Sequence, residues 1–157
     1  MTTASPHADH AHVSRGNVRN AAMASGIVLF VIGILGFIPG ITMNYGEMAF
    51  AGGSEAKLLN VFQVSMLLNI VYLVVGVVGY IMSRTASGAR EFLMGAGILY
   101  LAMWLYGLIV GPAEYGANFL STNTATNWLN FILGAVMLAL GITYMVRRRD
   151  EAHEATT

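Results

Sequence analysis

The chain has 157 residues, of which 56% are hydrophobic and only 10% are charged, and its mean hydropathy is +0.64. Soluble domains carry about 25% charged residues because their surfaces face water. Eight basic and eight acidic residues give a formal net charge of zero, which excludes a nucleic-acid-binding surface built on excess positive charge. The sequence has no cysteine, so disulfides, thiolate catalysis and cysteine-ligated metal centres are excluded.

The uncharged segments of the chain predict where it crosses the membrane. Four such windows are each longer than the roughly 18 apolar residues that indicate a spanning helix. We therefore predict an all-α integral membrane protein, a four-helix bundle that has the lipid bilayer as its partner. The predicted helices cover Ala21–Ile38, Met66–Met82, Phe92–Val110 and Thr124–Val146. Pro39 and Pro112 follow the first and third helices and fit these ends, because proline cannot continue a helix.

The basic residues are placed unevenly, and their placement predicts the topology. We expect flexible tails over residues 1–20 and 147–157, on either side of a transmembrane domain over residues 21–146. The side of the membrane that holds both tails carries seven of the eight basic residues, whereas the opposite loops hold only Lys57. Positive charge accumulates on the cytoplasmic side, so we predict a multi-pass protein of the plasma membrane with both termini cytoplasmic. The seven residues are Arg15, Arg19, Arg84, Arg90, Arg147, Arg148 and Arg149.

Small and polar residues recur in the same order in the two halves of the chain. The matching pairs are Gly26 and Gly97, Gly36 and Gly107, Gly40 and Gly111, Ser65 and Asn123, Asn69 and Asn127, and Gly76 and Gly134. This order predicts two tandem helical hairpins, a parallel internal repeat about an axis along the membrane normal. The alternative is chance alignment, since glycine is frequent in membrane helices. Ser65 and Asn123 are also expected to be the N-caps of the second and fourth helices.

Two Gly-x-x-x-Gly spacings predict close helix packing. They are Gly36-x-x-x-Gly40 and Gly107-x-x-x-Gly111, and this spacing lets helix backbones approach closely in lipid. We expect these glycines to pack inside the bundle, because four helices already bury their small residues against each other. The alternative is a dimer face between two copies of the chain.

A few uncharged polar side chains lie near the predicted outer ends of two helices. Asn69 and Tyr72 share one face of the second helix, and Asn127 and Asn130 share one face of the fourth, because each pair is three residues apart. We identify these four as a candidate polar cup for a small neutral or zwitterionic ligand. The alternative is that they cap helix starts and hydrogen-bond to each other across the bundle. Trp128 is expected to anchor the helix at the outer membrane interface.

The titratable residues give no pattern typical of an enzyme. His7, His10, His12 and His153 lie in the predicted tails, so no imidazole reaches the bilayer core and haem ligation inside the bundle is excluded. No motif of a catalytic base or nucleophile accompanies the outer-loop carboxylates, which are Glu47, Glu55 and Glu114. We therefore expect no catalytic residues, no metal site and no cofactor.

Three stretches of the chain carry a family resemblance. They read Gly36-Phe37-Ile38-Pro39-Gly40, Val61-Phe62-Gln63-Val64-Ser65 continuing to Asn69-Ile70-Val71, and Asn123-Thr124-Ala125-Thr126-Asn127-Trp128-Leu129. With these stretches the chain resembles, from Ala21 to Val146, an uncharacterised bacterial four-helix membrane family, domain of unknown function 4383. The resemblance implies the four-helix topology and assigns no activity.

The resemblance also shows where this chain departs from the family pattern. The family that the chain resembles has the pattern His-Asn-x-x-His at the start of the second helix and Asp-Asn-x-x-His at the start of the fourth. The asparagines match as Asn69 and Asn127, whereas the flanking positions hold Leu68, Tyr72, Thr126 and Asn130. Three imidazoles and a carboxylate there would form a metal or proton site. The resemblance thus implies a divergent member that lacks those groups.

These observations together predict a role rather than a reaction. We expect a non-enzymatic structural or accessory membrane subunit, with a membrane-protein partner or a homo-oligomeric state and no nucleic acid. The alternative is a carrier or binder of a small neutral lipid-soluble molecule, held by the polar cup in the outer leaflet.

Overall fold

The structure, a computed structural model, describes residues 6–110 and 117–154, with side chains over residues 16–110 and 117–147. Its long elements are four helices, α1 (Pro6–Gly36), α2 (Met66–Met82), α3 (Ala86–Val110) and α4 (Thr124–Glu154). Between α1 and α2 lie three short strands, β1 (Thr42–Met43), β2 (Lys57–Leu58) and β3 (Phe62–Gln63). The helical fold class is confirmed, whereas these strands were not expected from the sequence.

The bounds of α2 agree with the prediction, and the other three helices are longer than expected. Helix α1 begins at Pro6 rather than Ala21, so residues 6–20 of the predicted flexible tail continue the helix. It ends at Gly36 rather than Ile38, because the N–H groups of Phe37 and Ile38 bond to carbonyls three residues back and tighten the turn.

Helices α3 and α4 extend into segments that were assigned to a connector and a tail. Helix α3 begins at Ala86 rather than Phe92, because Thr85 acts as an N-cap: its Oγ1 accepts a hydrogen bond of 3.1 Å from the Gly88 N–H. Helix α4 continues past Val146 to Glu154, through arginine, alanine and glutamate residues that are good helix formers. Residues 147–154 of the predicted second tail are therefore helical.

Three segments of these helices are long and apolar enough to cross a membrane: Gly16–Gly36, Ala86–Val110 and Thr124–Arg147. Helix α2 is a shorter apolar helix of 17 residues, which gives a length of about 25 Å. Large apolar side chains point outward from the bundle on α2, α3 and α4, where Val74, Ile98 and Ile132 are 55–57% exposed. A surface of this kind is suited to lipid and not to water.

Glycines let the helices approach closely along two seams. The most extensive contacts join α1 to α2 and α3 to α4, and α1 also contacts α3. A Cβ atom built on Gly76 would lie 2.7 Å from the carbonyl oxygen of Gly26. A Cβ atom built on Gly134 would lie 2.9 Å from the carbonyl oxygen of Gly97. A side chain at either glycine would force the helix backbones to move apart.

The two loops at one end of the bundle form a single structure, called here the cap (residues 37–65 and 117–123). Strand β2 pairs antiparallel with both β1 and β3, with Leu58 opposite Thr42 on one side and Phe62 on the other. Several hydrogen bonds join the two loops, among them those from Gly52 N–H to Phe119 O (2.7 Å), from Ser65 Oγ to Leu120 O (3.1 Å), and from Asn123 Nδ2 to Val61 O (2.8 Å). The opposite end, where Ser83–Thr85 connects α2 to α3, is called the turn end.

Candidate functional site

The helix starts beneath the cap are fixed by the two N-caps that the sequence predicts. Ser65 has an extended backbone (φ −127°), and its Oγ accepts a hydrogen bond of 3.2 Å from the Leu68 N–H at the start of α2. Asn123 Oδ1 accepts one of 2.9 Å from the Thr126 N–H at the start of α4. Both N-caps are confirmed, and they set the register of the four candidate site residues.

Tyr72 and Asn130 meet in the interior of the bundle. The Tyr72 hydroxyl donates a hydrogen bond of 2.6 Å to Asn130 Oδ1, and the two residues are 1% and 0% exposed. This bond joins α2 to α4, whereas the two helices make few other contacts. It supplies the cross-bundle contact that was the alternative to a ligand-binding cup.

Asn69 and Asn127 occupy equivalent places, each beside a glycine of the neighbouring helix. The Asn69 side chain fills the space next to Gly36 of α1, and the Asn127 side chain fills the space next to Gly107 of α3. A methyl group on either glycine would overlap the asparagine amide. The glycines are thus needed to admit the asparagines.

The cap encloses this part of the interior. Met48 is 8% exposed, and its sulfur lies 4.0 Å from Asn69 Nδ2. Asn69 is 0% exposed and Asn127 is 6% exposed. The four residues therefore lie in a closed polar core, and not in an open cup at the outer surface.

Two aromatic residues of α3 that are not among the predicted site residues join this core. Tyr100 stacks on Tyr72, with ring centroids 5.6 Å apart and an interplanar angle of 17°. Trp104 contacts Phe131 of α4 at 4.7 Å between centroids. One sequence feature indicates Tyr100: it is a phenol in the middle of an uncharged span. A hydroxyl is costly to bury there without a partner.

Several polar atoms of the core lack hydrogen-bond partners within the described part of the chain. These buried atoms are Asn69 Oδ1, Asn127 Oδ1, Asn130 Nδ2, Tyr100 Oη and Trp104 Nε1. Buried polar groups in native proteins are nearly always paired with protein or with ordered water. All five are neutral donors or acceptors, so the core is chemically suited to water or to a small neutral molecule and not to a charged one.

The remaining candidate residues divide between the bundle and the cap. Gly36 and Gly107 are buried at helix contacts, as expected. Gly40 lies beyond the end of α1 with φ +93°, and a Cβ there would meet no atom within 4 Å, so its predicted place in a helix seam is wrong. Gly111 lies outside the described residues. Trp128 is 52% exposed, with its ring edge-on to Phe131.

The carboxylates whose side chains the structure describes form no metal-binding group, and the four histidines lie outside those residues. Glu47 lies in a 3-10 turn of the cap, and its backbone carbonyl accepts a hydrogen bond from the Glu55 N–H. Glu114 lies outside the described residues. Over residues 16–110 and 117–147, no three histidine, aspartate or glutamate side chains are placed to hold a metal ion together.

The fold and the core define a helical membrane bundle whose polar interior is closed by a structured cap. Comparison with known families identifies its relatives: the family described as a domain of unknown function (DUF4383) matches residues 19–143. The chain belongs to this family, as the sequence resemblance predicts. No curated protein and no solved structure matches the chain.

Proposed function

We propose that the protein is a non-enzymatic accessory subunit of a membrane assembly. One observation carries this proposal: Asn69 and Asn127 fill the spaces beside Gly36 and Gly107, so the interior of the bundle is occupied by its own side chains. A bundle with a filled, capped interior acts through its outer surface, and in a membrane that surface contacts other proteins or lipid.

The test is photo-crosslinking in the native membrane from three matched positions. A benzophenone side chain replaces Val74 on α2, Ile98 on α3 or Ile132 on α4, which are exposed to nearly the same extent. We expect a crosslink to one other membrane protein from one helix and lipid adducts from the other two. Lipid adducts alone from all three positions would contradict the proposal, whereas a product of twice the chain's mass would identify a second copy as the partner.

A second function, binding of a small neutral molecule in the closed core, is favoured by the unpartnered amide and hydroxyl atoms. Asn69, Asn127 and Asn130 each contribute one such atom, and Tyr100 adds a hydroxyl. A ligand that carries both donor and acceptor groups would satisfy them. Opening of the cap around Met48 is then required for entry.

Native mass spectrometry tests this second function. The combined substitution Asn69→Leu and Asn127→Leu keeps the side-chain volume and removes the amides, so a bound small molecule should be lost. Asn17→Leu, on an exposed position of α1, is the control and should retain it. A chain that carries no small molecule when extracted from its own membrane excludes this function.

We further infer that the two halves arose by duplication, as two tandem hairpins. The same contact occurs in both halves, between Asn69 and Gly36 and between Asn127 and Gly107. Tyr72 and Asn130 are 58 positions apart, the separation that also relates Asn69 to Asn127. The bond between them therefore joins equivalent positions of the two halves.

For the topology we propose four membrane crossings in the plasma membrane, with both termini in the cytoplasm. The turn end carries Arg19 and Arg84, and Arg147 lies near the end of the spanning segment of α4, which supports this orientation by the positive-inside rule. A reporter enzyme fused after Thr157 tests it: activity outside the cytoplasm would reverse the assignment.

A further inference from the structure

A cavity of about 350 Å³ lies at the turn end, between the beginning of the spanning part of α1 and the end of α2. Its polar and aromatic lining consists of Arg19, Asn20, Tyr80, Ser83 and Arg84. None of the described residues that line the cavity is acidic. The cavity therefore presents two positive charges at the level of the membrane surface without a counter-charge in its lining.

Both arginines are held in place by neighbouring groups. Arg19 Nε donates a hydrogen bond of 3.1 Å to the Ser83 carbonyl oxygen. This bond uses one N–H of the guanidinium and leaves its other donors for a ligand. The Arg84 guanidinium carbon lies 5.7 Å from the centroid of the Tyr80 ring, in a cation–π contact. Guanidinium groups positioned in this way are suited to binding phosphate oxygens.

An apolar groove of about 240 Å³ adjoins the cavity, and Tyr80 lines both. The other residues of the groove are Gly26, Ile27, Phe30, Gly76 and Val77. The groove exists because Gly26 and Gly76 present no side chains along the seam between α1 and α2. From Arg19 to Phe30 the rise along α1 is about 16 Å, close to half of the roughly 30 Å hydrocarbon thickness of a bilayer.

We propose that the cavity and the groove together bind one anionic phospholipid of the leaflet at the turn end. The phosphate of the headgroup lies between Arg19 and Arg84, and one acyl chain follows the groove past Tyr80 toward Phe30. Charge complementarity selects an anionic headgroup, and the continuity of the cavity with an apolar groove selects a lipid over a free phosphate ion. Basic pockets between helices at the membrane surface are suited to such headgroups. This site is separate from the closed core and does not depend on the proposed accessory role.

The test is native mass spectrometry of the full chain in detergent, titrated with dioleoyl phosphatidylglycerol or dioleoyl phosphatidylcholine. The wild-type chain should bind phosphatidylglycerol more tightly. Each arginine near a membrane surface contributes about fivefold in affinity for anionic lipid, so R19Q/R84Q should lower the affinity for phosphatidylglycerol about 25-fold. The affinity of this variant for phosphatidylcholine should stay unchanged. A fall in the affinity for phosphatidylglycerol alone indicates loss of the site, whereas misfolding would lower both affinities.

Matched variants make the assignment specific. R147Q removes an exposed arginine outside the cavity and should keep the wild-type preference, and R19K/R84K should recover part of it. V77W fills the groove and should weaken phosphatidylglycerol binding, whereas V74W, one turn away on α2 and outside the groove, should not. An unchanged preference in R19Q/R84Q would overturn the proposal. Equal displacement of lipid by inorganic phosphate in wild type and V77W would also overturn it, because the site would then bind phosphate alone.

Discussion

The Tyr72 hydroxyl of α2 donates a hydrogen bond of 2.6 Å to Asn130 Oδ1 of α4. Both residues are buried, and Tyr72 also stacks on Tyr100 of α3. One phenol thus connects three of the four helices. Because this part of the bundle contains no ion pair among its described residues, neutral hydrogen bonds and ring stacking fix how the helices are placed.

Removal of the Tyr72 hydroxyl should destabilise the bundle. Y72F leaves Asn130 Oδ1 buried without a partner, and hydrogen bonds between membrane helices contribute about 0.6 kcal/mol on average and up to about 1.7. We expect a loss in this range in the free energy of unfolding, measured by SDS titration in mixed micelles. Y45F, at an exposed tyrosine of the cap, is the control. Equal stability of Y72F and Y45F would show that the bond contributes nothing.

The glycines beside Asn69 and Asn127 should tolerate no side chain. G36A and G107A each force an asparagine amide to move, and overpacking of this kind costs about 1–3 kcal/mol. The same unfolding assay should show similar losses for both, as the internal repeat requires. G95A, on α3 with no atom within 4 Å of the added Cβ, should leave stability unchanged or raise it by up to about 1 kcal/mol. A large loss in only one of G36A and G107A would argue against equivalent halves.

Asn123 should control the closure of the cap. Its Oδ1 caps α4, and its Nδ2 donates to the Val61 carbonyl oxygen at 2.8 Å. N123A should lower the free energy of unfolding by about 1 kcal/mol through loss of the N-cap of α4 alone. It should also increase hydrogen exchange at the amides of residues 61–66 and 117–126. T124A, at the exposed neighbour, should leave exchange unchanged. Protection that persists in N123A would show that the remaining bonds between the loops, such as Gly52 to Phe119 and Ser65 to Leu120, are sufficient without Asn123.

The turn between β2 and β3 should become more stable when its first residue changes. Leu59 has φ +52° and Asn60 has φ +59°, and the left-handed region is unfavourable for leucine but tolerated by asparagine. L59N should raise the free energy of unfolding by about 0.5–1 kcal/mol, a fraction of the cost of strained backbone. L59A keeps the strain and should give no such gain. If both substitutions behave alike, the effect comes from the exposed side chain and not from the backbone.

The sequence predicted the helical class and the second helix because both depend on local properties. The length of an uncharged segment identifies a membrane-spanning helix, and Ser65 supplies a recognisable N-cap for α2. The sequence does not predict the early start of α3, because charge at Arg90 and Glu91 indicates a membrane boundary there. Helical hydrogen bonding does not stop where charge begins, and Thr85 caps the helix before these residues.

The core and the cap depend on contacts between distant segments, which spacing alone does not reveal. The sequence placed Asn69 and Tyr72 on one face of a helix, but it gave no sign that Asn69 lies against Gly36 while Tyr72 reaches Asn130. Tyr100 was missed because a single phenol has no periodic pattern. The strands of the cap are two residues long, too short for alternation to predict them.

We propose that the chain, with its interior closed, acts through its surface on a partner protein. Native mass spectrometry of the chain, gently extracted from its own membrane, tests this proposal. We expect a complex with the mass of the chain plus a second protein, without a small molecule that depends on Asn69 and Asn127. A lone chain that retains such a molecule, and loses it in the N69L/N127L variant, would refute the proposal.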